Sequence, residues 1–257
     1  MKIDVLGSGS AFSTQRNTSA ILISEGDNVH WMVDCGPTIP RALWQRNLPV
    51  DTIDVLYFTH VHPDHCSGLV ALLNQWKSFH RTKPLVIYAR AEQRDVLMQL
   101  AALAYWPAAH PGFELIWQDI QPEWTWRHWR IRTADTQHEI PNSALRIDSG
   151  PYSLFYSGDG RPTPQSRQLM AHSTLAFQEC ASWQGLEEHA SHGDFPACEA
   201  LSDTLALNAL GLYHCQDADI PAITEACAGH PTLFVSEDGM TLDLAHPRYS
   251  DKQEDGL

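Results

Sequence analysis

The stretch Phe58-Thr59-His60-Val61-His62-Pro63-Asp64-His65 decides the fold predicted for this chain. The residues before it, Asp54-Val55-Leu56-Tyr57, are mostly apolar, as is typical of a buried strand. The residues after it, 67–73, predict the start of a helix. Three histidines and one aspartate therefore lie on a turn at the carboxyl end of a strand, where several side chains can be aimed at one point.

The pattern HxHxDH consists of side chains that bind divalent metals. Neutral imidazole is a good ligand for zinc and similar metals, and a carboxylate adds a charged oxygen donor. His60 and His62, two positions apart, can share one metal, while Asp64 and His65 can turn towards a second. Histidine occurs 14 times in 257 residues, so an isolated histidine indicates little. The ordered spacing after an apolar strand is what predicts a metal site.

HxHxDH on a strand-to-helix turn resembles the metallo-β-lactamase superfamily. This resemblance implies an α/β fold, a four-layer αββα sandwich with two mixed β-sheets, helices outside and a metal centre at one sheet edge. The pattern LGSGSAF-ST-x-RN-TS over residues 6–19 resembles, within that superfamily, the tRNase Z and cyclic phosphodiesterase-like branch. In that branch the corresponding loop borders the metal site.

Three residues further along the chain fit the remaining ligand positions of the superfamily. His138 follows a predicted strand, Asp159 lies between two glycines after an apolar strand, and His214 ends a short strand. The resemblance implies a two-metal centre with seven protein ligands. The first metal is assigned His60, His62 and His138, the second Asp64, His65 and His214, and Asp159 is shared.

The resemblance also implies a proton donor. His192 resembles the histidine that lies opposite the metals in tRNase Z-like phosphodiesterases, and either Asp194 or Glu179 is expected to hold its imidazole. The competing interpretation of Asp194 is a helix N-cap. Asp34, which ends another predicted strand, either orients a ligand histidine by a hydrogen bond or only caps a turn.

The predicted function is a metal-dependent phosphodiesterase that acts on a small, cyclic phosphodiester. The expected cofactors are two divalent metal ions, zinc first, with manganese or iron as alternatives, and a metal-bridging hydroxide is the expected nucleophile. His192 and the ligand Asp64 are the predicted catalytic residues. Two alternatives remain: a carboxyl-ester, thioester or lactone hydrolase, for which Tyr213 is a candidate residue, and a non-catalytic metal-binding regulatory protein.

Composition and spacing limit the partners. The net charge of −14 disfavours a broad grip on nucleic acid, but metal cations would still attract a small anionic substrate. The tRNase Z enzymes carry a long tRNA-holding arm between the residues that correspond to His138 and Asp159. Here that interval is 21 positions (159 − 138), so tRNA is not the expected substrate. A homodimer is expected because relatives of this branch often pair, and because the Trp-rich stretch 106–129 offers an interface unless it is core packing.

Length and local patterns complete the prediction. The chain is expected to form one domain over residues 1–257, with a frayed tail from about residue 246. No signal peptide and no apolar run of about 20 residues is found, which predicts a cytoplasmic protein without a membrane span. The six cysteines form no CxxC pair and are expected to be buried free thiols. Helices are predicted at 38–47, 67–80, 91–104, 196–210 and 219–227, the first with Leu43 and Trp44 on its buried side.

Overall fold

Two seven-stranded β-sheets lie face to face at the centre of the fold. The structure is a computed structural model and describes residues 1–26 and 29–246. The first sheet has the order β14-β1-β2-β3-β4-β5-β6 and comprises Lys2–Gly7 (β1), Ala20–Glu25 (β2), Val29–Val33 (β3), Val55–Tyr57 (β4), Leu85–Ala89 (β5), Leu115–Asp119 (β6) and Thr241–Asp243 (β14). The second has the order β13-β12-β11-β10-β9-β8-β7 and comprises Glu123–Trp126 (β7), Trp129–Asp135 (β8), Ser143–Ser149 (β9), Tyr152–Tyr156 (β10), Leu175–Glu179 (β11), Leu210–Tyr213 (β12) and Leu233–Val235 (β13).

Helices cover the outer face of each sheet. The helices are Ile39–Trp44 (α1), Pro63–Cys66 (α2), Leu69–Ser78 (α3), Arg94–Tyr105 (α4), Pro164–Met170 (α5), Phe195–Thr204 (α6) and Ile220–Cys227 (α7). One hydrophobic cluster joins α1, α3 and α4 to the first sheet, and another joins α5, α6 and α7 to the second. The predicted four-layer αββα sandwich with two mixed sheets is confirmed.

A third hydrophobic cluster fills the space between the two sheets. Large side chains from both sheets are fully buried in it, among them Trp31 and Tyr57 from the first and Trp129 and Tyr156 from the second. Burying each such side chain contributes about 1.5–3 kcal/mol to folding. Because both faces of β4 are covered, this strand is apolar throughout, which is why Val55–Tyr57 could be recognised from the sequence.

The direction of the strands determines where function can reside. Strands β3 to β6 run parallel in the first sheet, and β10 to β13 run parallel in the second. The carboxyl ends of parallel strands meet at one edge, and the loops that follow them can converge there.

Several local predictions were wrong. Trp44 is 42% exposed although Leu43 is buried, because adjacent helical residues point about 100° apart and only one could face the sheet. The helix predicted to reach residue 210 ends at Thr204, since Leu210 and Gly211 are needed in β12. Strands β7 and β14 and helix α5 were not predicted. Both strands are short edge strands, whose pairing depends on distant residues.

The remaining predictions have different outcomes. In the Trp-rich stretch, Trp126 and Trp129 pack on Trp31, whereas Trp106 is 77% exposed. The six cysteines are buried free thiols. No helix in residues 1–26 and 29–246 is both long and apolar enough to cross a membrane. The single-domain prediction stays a prediction, and the tail beyond residue 246 lies outside the described residues.

Candidate metal centre

The seven predicted metal ligands all lie just after the carboxyl ends of strands. The loop after β4 carries His60 and His62, and the short helix α2 that follows carries Asp64 and His65. His138, Asp159 and His214 follow β8, β10 and β12 of the other sheet. The site therefore spans the edge where both sheets end.

The structure brings these seven side chains together in two adjacent groups. The donor atoms of His60, His62 and His138 lie within 4.8 Å of one another, as do those of Asp64, His65, Asp159 and His214. Within the first group, His62 Nδ1 lies 3.1 Å from His60 Nε2 and 3.0 Å from His138 Nε2.

Asp159 lies between the two groups. Its Oδ1 is 3.2 Å from His65 Nε2, and its Oδ2 is 3.3 Å from His214 Nε2 and 3.9 Å from His60 Nε2. The side chains are therefore close enough for the predicted assignment, and the assignment of each residue to a metal stays a prediction.

The donors fit a cation because several of them point at a common space instead of at one another. Among the described residues, His65 Nε2 and Asp159 Oδ1 are buried in this space without a hydrogen-bond partner. His65 Nε2 and Asp159 Oδ1 are only 3.2 Å apart, yet they do not make a hydrogen bond. Unpartnered buried polar atoms are expensive, and a bound cation would satisfy them.

The electrostatics of the second group also favour positive charge. Burial opposes the charge on Asp64, but the imidazoles of His214 and His65 beside it outweigh burial and lower the pKa of the Asp64 carboxyl. Burial opposes protonation of His65 as well, yet Asp159 and Asp34 raise the pKa of its imidazole well above the ordinary value. The carboxylates that favour a proton on His65 would equally favour a metal ion bound in place of that proton.

In the first group, two of the three imidazoles are disposed to be neutral. Burial is the main reason that the pKa values of His60 and His62 are lowered, and repulsion from neighbouring imidazoles adds to it. A neutral imidazole keeps the lone pair that a metal requires.

Asp34 is hydrogen-bonded to the loop and short helix that follow β4 and carry His60, His62, Asp64 and His65. Its Oδ2 accepts a hydrogen bond from His65 Nδ1 at 2.8 Å, and its carboxylate also accepts from the backbone N and the hydroxyl of Thr59, each at 2.8 Å. The Asp34 backbone has φ +62° and that of His214 has φ +60°, a left-handed conformation that is costly for residues other than glycine. Of the two interpretations, the structure bears out hydrogen bonding to a candidate ligand histidine.

The turn Ser157-Gly158-Asp159-Gly160 requires its two glycines. Gly158 has φ +63° and Gly160 has φ +102°, and a Cβ on either would collide with neighbouring atoms, of Asn142 and Thr59 in one case and of Gln137 and Thr136 in the other. Asn142 Oδ1 accepts from the Asp159 amide at 3.1 Å and fixes the turn. Asn142 was not predicted; the only signal was its position close to a candidate ligand.

His192 faces the donor groups and is held by Glu179. Its Nδ1 is 2.5 Å from Glu179 Oε1, and the hydrogen bond with this buried carboxylate raises the pKa of His192 to about 9. Glu179 Oε2 accepts from the amides of Gly160 and Gly193, each at 2.8 Å. The His192 ring lies 5.1 Å from that of His138 and 6.0 Å from that of His214, measured between centroids.

The structure also shows what Asp194 and Tyr213 do. Asp194 does not hold His192; its Oδ1 accepts from the Ala197 amide as the N-cap of α6, and its Oδ2 pairs with Arg161. The Tyr213 hydroxyl is buried and donates to Gly158 O at 2.6 Å, so it stabilises the turn that carries Asp159. Glu179 also lies in a third donor group with Asp159, His192 and His214, which sequence reasoning missed.

Comparison with known proteins identifies the relatives of this chain. Residues 1–226 match the family described as anti-Pycsar protein Apyc1. The anti-Pycsar protein Apyc1 of Bacillus phage 010DV004 is 35% identical over 78 residues, or 30% of each chain. The ribonuclease Z of Methanosarcina acetivorans is 22% identical over 96% of this chain and 99% of its own. Alignments with other ribonuclease Z proteins, such as that of Pseudomonas putida, span only about half the length of those relatives.

The fold is shared with solved structures. The metallo-β-lactamase fold protein YhfI from Bacillus subtilis superposes with a TM-score of 0.78 at 20% identity, covering 93% of this chain and 98% of YhfI. The resemblance to the metallo-β-lactamase superfamily and its tRNase Z and phosphodiesterase-like branch is confirmed.

Proposed function

This chain belongs to the anti-Pycsar Apyc1 family, and we propose that it is a metal-dependent phosphodiesterase that hydrolyses a small, cyclic phosphodiester. The observation that carries the proposal is the arrangement of two donor groups joined by Asp159 and faced by His192. Paired cations beside a protonated imidazole are complementary to the negative charge of a phosphodiester.

We assign the metals to the residues that were expected to bind them. His60, His62 and His138 would hold one ion, and Asp64, His65 and His214 would hold the other, with Asp159 between them. Zinc suits the first, all-imidazole group, while the carboxylates of the second also suit manganese or iron. When bound, two such ions supply Lewis-acid stabilisation of phosphoryl charge and activate water.

His192 supplies the chain's own acid. With a pKa of about 9, its imidazole is protonated at neutral pH, so it can stabilise a phosphoryl oxygen or protonate the leaving alkoxide. Glu179 accepts from Nδ1, which leaves Nε2 as the nitrogen that can donate towards the substrate. Asp64 is assigned a role through the metal only, because its carboxylate faces His65 and His214.

A small substrate is favoured over tRNA by the segment between His138 and Asp159. Most of this segment forms the hairpin of β9 and β10, whose strands pair with each other inside the second sheet. It therefore holds no protruding arm. The net charge of −14 further disfavours a large polyanion.

The proposal extends to assembly and compartment. Phe79, Leu103 and Trp106 are 66%, 64% and 77% exposed on the helices over the first sheet, and we assign this face to a second copy of the chain. Residues 38–106, the stretch that includes α1, α3 and α4, contain seven Lys or Arg and five Asp or Glu, whereas the whole chain carries −14, so this stretch does not add to the net negative charge. Six buried thiols fit the reducing cytoplasm.

Light scattering after size exclusion tests the dimer. We expect the mass of two chains for the natural protein and of one chain for Leu103→Lys. A natural protein that elutes as one chain, or a Leu103→Lys variant that stays paired, would exclude this face.

The function is tested by metal analysis and a substrate panel. The panel comprises bis(p-nitrophenyl) phosphate, 2′,3′- and 3′,5′-cyclic nucleotides, and a lactone. We expect two metal ions per chain and hydrolysis of phosphodiesters. Activity on the lactone alone would favour the carbonyl hydrolase, and a metal-loaded protein inert on the whole panel would favour the non-catalytic alternative.

The His192→Ala variant tests the acid. We expect kcat on a cyclic nucleotide, whose alkoxide leaving group needs a proton, to fall by about 10²–10⁴-fold. The loss on bis(p-nitrophenyl) phosphate should be much smaller, because p-nitrophenolate leaves without protonation. Equal losses on both substrates would contradict the assignment, and unchanged metal content is the control.

A further inference from the structure

His192 lies on a long connection between β11 and α6, which we call the His192 loop (residues 183–194). Residues 184–189 of this loop are exposed to solvent. The base of the loop is tied to its flanking elements through Ala181 N to Gly193 O at 3.1 Å and Phe195 N to Ser182 O at 2.9 Å, and Glu179 at the end of β11 binds His192 Nδ1 and the Gly193 amide. Residues 188–191, which precede His192, are held beside the donor groups by side chains from other segments.

Those partners are side chains from the segments that follow β8 and β10, and they face backbone carbonyls of the loop. Gln137 Nε2 donates to Glu188 O and to Ala190 O, each at 2.9 Å. His138 Nδ1 donates to Ser191 O at 2.8 Å, and Arg161 Nη1 lies 3.4 Å from His192 O. The carbonyls of 188, 190, 191 and 192 thus face the candidate ligand His138 and two residues that lie one or two positions from His138 or Asp159.

Gln137 is itself held rigidly. Its backbone N donates to Arg161 O at 2.9 Å, and Arg161 N donates back to Gln137 O at 3.0 Å. This two-way bridge joins the segment that carries His138 to the segment that carries Asp159. A loop attached to the bridge keeps a fixed distance from the donors that the same segments carry.

We propose that Gln137 is a positioning residue that holds the His192 loop, and with it His192, against the donor groups. A primary amide fits this task because its nitrogen carries two N–H groups and two carbonyls face it. A carboxylate of the same shape would place oxygen against two carbonyl oxygens and would release the loop. The catalytic part of this inference rests on the proposed function, whereas the structural part does not.

The test compares Gln137→Glu and Gln137→Met, both close in size, with the natural metal-loaded protein. Gln137→Met removes the donors without adding charge. Gln184→Glu is the matched control, because it adds the same charge to the exposed part of the His192 loop at a position whose side chain does not contact Gln137. Metal content and the melting temperature establish that each variant is folded and loaded.

Hydrogen exchange of peptides covering 183–194 is the readout that does not depend on activity. We expect exchange in this segment to accelerate at least about tenfold in both Gln137 variants, with the rest of the chain unchanged. We expect Gln184→Glu to behave like the natural protein. Unchanged exchange in both Gln137 variants would overturn the proposal.

Kinetics then tests positioning. On a cyclic nucleotide we expect kcat to fall by about 10–100-fold with KM changed less than threefold, and a much smaller loss on bis(p-nitrophenyl) phosphate. Accelerated exchange with unchanged kcat on both substrates would overturn the role of Gln137 in placing His192. If the natural protein cleaves nothing in the panel, the proposed function fails, and hydrogen exchange alone still decides whether Gln137 holds the loop.

Discussion

At the scale of single residues, the centre depends on side chains that support the metal donors. Asp34 fixes His65 through Nδ1, so that Nε2 is left facing Asp64 and Asp159. Thr59 links Asp34 to His60, since its hydroxyl lies 2.8 Å from the Asp34 carboxylate and 3.0 Å from His60 Nδ1. Such supporting hydrogen bonds set the ring orientation and the basicity of a ligand histidine.

We expect Asp34→Asn to weaken metal binding by about 10–100-fold, because an amide oxygen is a poorer acceptor for His65 Nδ1–H than a carboxylate. Competition with a coloured chelator measures the affinity. Asp51→Asn is the control, since Asp51 accepts from Thr82 and Lys83 away from the site. Equal metal affinity in Asp34→Asn and the natural protein would show that Asp34 only shapes the turn.

At the scale of elements, the site is a set of turns that follow strands. The turn after β10 presents Asp159 between two glycines, and its tight fit against Asn142 and Thr59 allows no side chain at position 158. The turn therefore needs residues from two other segments to define its shape.

We expect Gly158→Ala to lower the free energy of unfolding more than Gly150→Ala does. Both glycines have positive φ, +63° and +55°, so both alanines incur a backbone cost of about 1–2 kcal/mol. At Gly150 nothing lies within 4 Å of an added Cβ, whereas at Gly158 it would meet Asn142 and Thr59. Urea denaturation of the two variants measures the difference, and equal losses would mean that the turn can relax.

At the scale of the whole molecule, contacts at both edges join the two sheets. At the carboxyl edge, the candidate metal donors of both sheets lie beside one another. At the opposite edge, Glu25 at the end of β2 accepts from Trp129 Nε1 at 2.6 Å and from Ser149 Oγ at 2.8 Å, both in the second sheet. Burial alone would raise the pKa of Glu25, but hydrogen bonds from Trp129, Ser149 and His128 lower it below its ordinary value of 4.5.

The lowered pKa predicts how stability depends on pH. A carboxyl whose pKa is lower in the folded state stabilises the protein fully above the unfolded value, and this contribution disappears as the pH falls through the folded value. We therefore expect Glu25→Gln to have a lower free energy of unfolding than the natural protein at pH 7. The difference between the two free energies should become smaller below pH 4.5.

Urea denaturation of Glu25→Gln and the natural protein at pH 7 and pH 3.5 measures this difference in stability. Glu225→Gln, an exposed change on α7, is the control and should show no such narrowing. A difference in stability that does not change with pH would mean that Glu25 contributes by packing alone.

The fold and the donor set could be predicted because their signals are local. An apolar strand followed by HxHxDH, and Asp159 between two glycines, each lie within a few residues and reflect the geometry of one turn. Their order along the chain then resembles one superfamily, and that resemblance assigned His138 and His214 as well.

Only the tertiary structure could decide the questions that depend on distant segments. From the sequence alone, Asp194 and Glu179 are equally good partners for the His192 imidazole. Glu179 is the partner because the loop that carries His192 packs against the end of β11. Nothing in the sequence around Gln137 indicates a role, which depends on the folded chain placing the carbonyls of residues 188 and 190 opposite its amide. A hydrogen bond depends on distance and angle between two groups, and for groups some 50 positions apart those are set by the packing of the two sheets, which no local pattern encodes.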